Sequence, residues 1–265
     1  MNSLDALLDK LWKQYIDINP RAHRIAQLLE SEGETIANDH IAFRTFDLDR
    51  VRLQKLANCF TAHGYEYGGE YHFPQKKLYA HHYQHPDPSY PLVFISELLT
   101  QEFSPTLQNI VSGLIEQIPA GLEDTPDFCA SGRPWNVSFK DYQVLQQESE
   151  YAAWLSAFGF RANHFTVYVN GLNKFPDLES LNHYLKDNGY VMNSSGGEIK
   201  GSPEQLLEQS STMAETVRVD FTDGAFSIPS CYYEFARRYP QADGSIYRGF
   251  IAASANRIFE STDKK

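Results

Sequence analysis

Three shortages narrow the field before any motif is read. Cysteine is scarce: the 265 residues hold only Cys59, Cys129 and Cys231. They form neither a C-x-x-C pair nor an even set for a disulfide framework, and reduced thiols are expected. Basic runs are missing as well, with 23 Lys and Arg against 34 Asp and Glu for a net charge of −11. That balance excludes a surface built to neutralise a phosphate backbone. Long apolar runs are also absent: nothing approaches the roughly 18 apolar residues of a membrane span. The opening MNSLDALLDKLWKQY carries Asp5 and Asp9 inside its apolar pattern, unlike a secretory leader. The expectation is a cytoplasmic protein that binds neither nucleic acid nor membrane. With 42% hydrophobic residues, it has enough apolar material for a sizeable core.

What the chain does contain is a repeat. From His40 it runs through DRVRLQKLANCFTAHG to HGYEYGGE, and from His164 through DLESLNHYLKDNG to NGYVMNSSGGE. His40 precedes Gly64 by 24 residues, and His164 precedes Gly189 by 25. Each copy opens on Asn or Asp (Asn38-Asp39, Asn163) and enters a strand through histidine. An amphipathic helix ended by glycine follows, then Tyr and a Gly-Gly-Glu turn. Two strand-like segments close each copy: KKLYAHHYQH and PLVFISEL in the first, ETVRVDFTDGAFSIP and SCYYEFARR in the second. This order predicts an α+β fold in which two βαβββ units, 36–100 and 161–240, form one curved sheet around a central cavity. The rest of a single 1–265 domain divides into an N-terminal helical segment (1–35), a helical connector (101–160) and a C-terminal segment (241–265). Within the connector, SPTLQNIVSGLIEQI and ESEYAAWLSAFG read as helices.

Alternation gives the strands unlike faces. His40, Ala42 and Arg44 oppose Ile41, Phe43 and Thr45; His164, Thr166 and Tyr168 oppose Phe165, Val167 and Val169; Thr216, Arg218 and Asp220 oppose Val217, Val219 and Phe221. The apolar faces suit helices and the polar faces a wet cavity. If the first strands meet in one interior, His40 and His164 converge there, and the last strand adds Glu234 on the face of Tyr232 and Ala236. Two imidazoles and one carboxylate on one side of a coordination sphere suit a divalent first-row metal and leave positions for substrate and oxygen. The plainer alternative makes both histidines structural and Glu234 a solvated carboxylate. Their matched places in the two copies favour the metal. Secondary candidates are His81 or His82, of which adjacent positions allow at most one into the cavity, and Arg218 with Asp220, lining the cavity or paired with each other. Glu97 closes the first copy as Glu234 closes the second.

HIAFRTF, NHFTVYVN, TVRVDFTDGAFSIPSCYYEFARR and the ending GFIAASANRIFEST together resemble the 2-oxoadipate dioxygenase/decarboxylase (D-2-hydroxyglutarate synthase) family of the vicinal oxygen chelate superfamily. The similarity spans nearly the whole chain. It implies that His40, His164 and Glu234 hold iron(II), and that Arg44 binds a substrate carboxylate and serves catalysis. At about 3.3 Å per residue, Arg44 begins about 13 Å along the strand from His40, within reach of a long side chain leaning back over the cavity. Its guanidinium matches a carboxylate bidentately. The bland alternative for Arg44 is a surface pair with Asp47 or Asp49. The activity implied is oxidation and decarboxylation of 2-oxoadipate to D-2-hydroxyglutarate, in lysine catabolism, with the 2-oxo acid and dioxygen as partners. One rival is a zinc-, nickel- or manganese-dependent isomerase or hydrolase on the same scaffold. The other is a non-catalytic small-molecule binding module, against which the His, His, Glu set argues.

Overall fold

Apolar residues spaced three and four apart build the first helix: α1 (Ser3–Ile18) buries Leu4, Leu7, Leu11 and Tyr15. Proline opens α2 (Pro20–Ser31), where its missing N–H costs nothing. A computed structural model describes residues 3–251, so the ending GFIAASANRIFEST lies outside the described residues from position 252 onward. The first unit follows as β1 (Asn38–Phe46), α3 (Leu53–Thr61), β2 (Glu66–Phe73), β3 (Leu78–Gln84) and β4 (Leu92–Leu98). The connector carries α4 (Pro105–Ile115), α5 (Phe139–Glu148) and α6 (Glu150–Phe158). Each of these starts on a serine whose side chain accepts a backbone N–H of the first turn. The second unit comprises β5 (Ala162–Tyr168), α7 (Leu178–Asp187), β6 (Lys200–Ser202), β7 (Leu207–Ser211), β8 (Thr216–Phe221), β9 (Gly224–Pro229) and β10 (Glu234–Arg238).

Among the described residues, eight strands form one sheet in the order β2-β3-β4-β1-β5-β10-β7-β6, and β8 and β9 form a separate hairpin. The first strands β1 and β5 lie antiparallel at the centre, and each has its unit's last strand, β4 or β10, parallel on its outer side. Their register is two-fold symmetric. His40 faces Thr166 and Ala42 faces His164, with Ile41 opposite Phe165 between them. The two histidines therefore occupy equivalent strand positions. The helix ends match too: Gly64 and Gly189 take φ +90° and +84°, and Tyr65 N–H and Tyr190 N–H reach back to the Phe60 and Leu185 carbonyls. Both are left-handed glycine caps of the Schellman kind. Helices cover one face of the sheet. Phe60 of α3 packs on Phe43 with ring centroids 5.2 Å apart, and Trp12 and Tyr15 of α1 pack on Phe165 at 5.1 Å.

The structure corrects three expectations. The stretch ETVRVDFTDGAFSIP does not enter the main sheet. It forms the β8–β9 hairpin, with Thr216, Arg218 and Asp220 toward solvent rather than the cavity. Its opposite face packs against α5, where Phe139 stacks on Phe226 at 3.9 Å and Phe221 meets Tyr142 at 5.5 Å. The sheet positions go instead to β6 and β7, which are too short and too polar to show a strand period. Second, the first Gly-Gly lies inside β2 rather than in a turn, because the His82 ring packs over it; a Cβ on Gly68 would sit 2.1 Å from His82 Nε2. Third, Glu97 is not the counterpart of Glu234. Glu234 pairs with Thr166 and Phe94 with Ala42, the position equivalent to Thr166, whereas Glu97 pairs with Thr45 and accepts the Leu53 N–H. Helix α5 also went unforeseen, its pattern being weakly amphipathic.

Candidate functional site

The β1–β5 seam makes the site. Where these strands pair, each carries one extra residue just before its histidine, so the register slips between Asn38 and His40 and again between Ala42 and Phe43. The bulged residues are Asp39 and Asn163, one in each unit. Their side chains turn toward the following imidazole: His40 Nδ1 lies 2.7 Å from Asp39 Oδ1, and His164 Nδ1 lies 3.1 Å from Asn163 Oδ1. A carboxylate can only accept, so in the neutral ring the His40 proton sits on Nδ1 and Nε2 is the acceptor, with the Thr166 hydroxyl 3.1 Å away; the amide oxygen acts likewise on His164. This second contact is the usual means of fixing the tautomer and direction of a metal-binding imidazole.

Both Nε2 atoms aim at Glu234, at 3.5 Å to Oε1 from His40 and 3.3 Å to Oε2 from His164. Ligand atoms of the three residues all lie within 4.8 Å of one another, and all three side chains are buried. Gln209 donates to Glu234 Oε1 at 2.6 Å, while Oε2 has no hydrogen-bond partner. Three groups able to donate electron pairs thus converge, an arrangement a cation satisfies. Titration agrees. Burial pushes the His164 imidazole well below its usual range, and the neighbouring His40 and Arg44 push the same way. Burial raises Glu234, opposed by His40 and Gln209. Asp39 is the exception: burial would raise it, but the Arg238 charge and hydrogen bonds from His40 and Arg238 hold its carboxyl well below the carboxylate range.

Arg44 is 2% exposed and pairs with neither Asp47 nor Asp49. Its Nη1 donates to Glu150 at 3.1 Å, and its guanidinium lies over Tyr151 and Trp154 at 4.8 and 5.1 Å. Nε and Nη2 are buried without a partner. Those two N–H groups form one edge of the guanidinium, the edge that fits two carboxylate oxygens. Of the adjacent histidines, His82 is the one on the cavity side: burial, with the charges of Arg238 and Arg248, lowers it to about 4, and Tyr71 Oη holds its Nδ1 at 2.9 Å. His81 points away toward Tyr79 and Tyr83. Phe250 closes the group, its ring 4.9 Å from His40, 4.9 Å from Phe94 and 5.5 Å from His82. Sequence reading did not assign roles to Asp39, Asn163, Gln209 or Tyr232. The first two carried a readable signal, an Asx before histidine at matched places; the others depend on register.

Comparison with known proteins finds relatives along nearly the whole chain. The family model described as 2-oxoadipate dioxygenase/decarboxylase matches residues 4–120 and 129–244. A rice protein named 2-oxoadipate dioxygenase/decarboxylase, chloroplastic/amyloplastic, is 37% identical over 282 aligned residues, covering 97% of this chain and 78% of its own. A Shewanella frigidimarina crystal structure, assigned only provisionally as a hydrolase, is 56% identical with a TM-score of 0.89, covering 94% of this chain and 97% of that one. The structure of rice hydroxyglutarate synthase in complex with 2-oxoadipate is 36% identical with a TM-score of 0.90, covering 97% and 91%.

Proposed function

The chain belongs to the 2-oxoadipate dioxygenase/decarboxylase family, and from that premise we propose that it is an iron(II)-dependent oxygenase converting 2-oxoadipate and dioxygen to D-2-hydroxyglutarate and carbon dioxide. The observation that carries the reading is the convergence of His40, His164 and Glu234 within 4.8 Å, with the free Arg44 edge held nearby. His40 Nε2, His164 Nε2 and the Glu234 carboxylate would hold the metal, which when bound supplies dioxygen activation and chelation of a 2-oxo acid. The chain's own groups do the rest. Asp39 and Asn163 keep both imidazoles facing inward, Gln209 fixes the carboxylate, and Arg44 Nε and Nη2 grip one substrate carboxylate and set how the acid lies. Glu150, Tyr151 and Trp154 hold that guanidinium in place without using its free edge.

The balance is strict: one dioxygen is consumed for each carbon dioxide released. Iron-loaded protein given 2-oxoadipate in air should therefore take up oxygen and release carbon dioxide in equal amounts, with D-2-hydroxyglutarate as the other product. Turnover of the zinc form without oxygen uptake would instead favour a hydrolase or isomerase. A place in lysine catabolism follows from the substrate. We read the chain as cytoplasmic on its sequence; among the described residues no helix is long and apolar enough to cross a membrane.

A further inference from the structure

Tyr232 lies two residues before Glu234, fully buried, with its hydroxyl lacking any hydrogen-bond partner. Its ring stacks on His164 with centroids 4.7 Å apart and planes at 28°, and the charges of Glu234 and Arg44 act on it. Beside the Asn163 amide, whose Nδ2 is also unmet, three buried groups with unmet hydrogen bonds therefore gather around His164: the Arg44 edge, the Tyr232 hydroxyl and Glu234 Oε2. They do not satisfy one another because each is held elsewhere, Arg44 by Glu150 and two aromatic rings, Tyr232 by the imidazole it stacks on, and Glu234 by Gln209. Buried polar groups are normally paired, so unmet ones fixed in position mark the outline of a missing partner. Two of the three offer protons, since a phenol is protonated at neutral pH and a guanidinium always is. The unmet donors call for an anion.

We propose that Tyr232 is a substrate-binding residue whose hydroxyl donates a third hydrogen bond to the carboxylate gripped by the Arg44 edge. This rests on the functional reading above and adds a neutral donor to it. A carboxylate oxygen has room for more than one donor, and a phenol held by its ring loses little freedom on binding. The stacking also couples the two roles of this wall, since the ring that supports His164 is the one that points the hydroxyl.

Tyr232→Phe keeps the ring and removes only the donor. The test loads wild type and variant with zinc, which does not turn over with oxygen, and titrates each calorimetrically with oxalate and with 2-oxoadipate. Metal content, melting temperature and the tyrosine ultraviolet difference spectrum on binding are read in parallel. A hydrogen bond to a charged group predicts a Kd at least ten-fold weaker for both acids. It also predicts unchanged metal content and melting temperature, and loss of the wild-type tyrosine difference signal. An unchanged Kd would overturn the proposal, and so would a fall in metal content or melting temperature accompanying the weaker binding, which would make Tyr232 structural. Wild type that binds oxalate but not 2-oxoadipate would sink the functional reading alone, because oxalate still reports on the hydroxyl.

Discussion

In the half built on β1, the group that aims the histidine is a carboxylate, Asp39, itself held by a guanidinium that comes from the other half, Arg238 on β10, at 2.6 and 2.8 Å. In the half built on β5 the same place holds Asn163, a neutral amide whose Nδ2 has no partner. The last strands differ more sharply, with Phe94 where the partner unit has Glu234. Equivalent backbones thus carry unequal chemistry. Full symmetry would bring two carboxylates to the two imidazoles and fill a fourth coordination position. With Phe94 in one half, three candidate ligands meet on one side, and on the proposed function the rest would stay open for substrate.

The largest effect should come from making the halves alike at that position. Glu234→Phe copies Phe94 and should reduce bound metal and turnover to background; metal retained at full stoichiometry would show that the ligands lie elsewhere. Next is the asymmetry of the orienting groups. Arg238→Ala strands a buried Asp39 charge and should cost about 3–5 kcal/mol in urea unfolding. Asn163→Ala removes a neutral contact and should cost only about 0.5–1.5 kcal/mol, while weakening metal affinity about 10–100-fold. Equal unfolding costs would erase the distinction. The sign with pH follows from Asp39, whose carboxyl is held below its ordinary value. Its stabilising contribution is complete above the ordinary carboxyl pKa of about 4 and is lost as pH falls through the depressed folded value. Wild type should therefore keep its advantage over Asp39→Asn from neutral pH down to about 4 and lose it only in stronger acid.

Arg44 has no counterpart across the axis, so its effect should be confined to substrate. Arg44→Ala is expected to keep its metal and lose kcat/KM on 2-oxoadipate by the roughly 1.5–3 kcal/mol of a charge-assisted contact. Arg44→Lys should recover part, because an ammonium lacks the two-pronged edge. Unchanged kinetics in metal-replete Arg44→Ala would remove it from the site. The smallest effect tests the symmetry that survives: Gly64→Ala and Gly189→Ala, both at positive φ with no close atom blocking a Cβ, should each cost about 1 kcal/mol. Unequal costs would mean that the two caps are less alike than their hydrogen bonds.

The metal-ligand candidates were legible because repetition supplied what local pattern lacked. A lone strand histidine says little, but His40 and His164 recur at matched distances from a glycine cap, and those distances survive folding as one register. Glu97 misled for the same reason in reverse. Spacing along the chain matched it to Glu234, whereas hydrogen-bonded register matches Phe94, and register is set by pairing across strands that are distant in sequence. Strands β6 and β7 were hidden because Lys200–Ser202 and Leu207–Ser211 owe their place to neighbours rather than to an alternating pattern. The alternating stretch 216–229 found its apolar partner in α5 instead of in the sheet.

His40, His164 and Glu234 come from three strands, the first two 124 positions apart and the last two 70, and they meet only once β1, β5 and β10 are side by side. An unfolded chain holds no trace of that pocket, so an ion that binds here binds the native state almost alone. By mass action, each ten-fold excess of free metal over its Kd should add about 1.4 kcal/mol to unfolding. Closing the β1–β5 seam joins segments 124 positions apart, a pairing that loop-closure entropy makes slow, and the same step creates the site. Metal uptake in refolding experiments should therefore follow the slowest folding phase rather than precede it, and a chelator should hasten thermal unfolding of the whole chain.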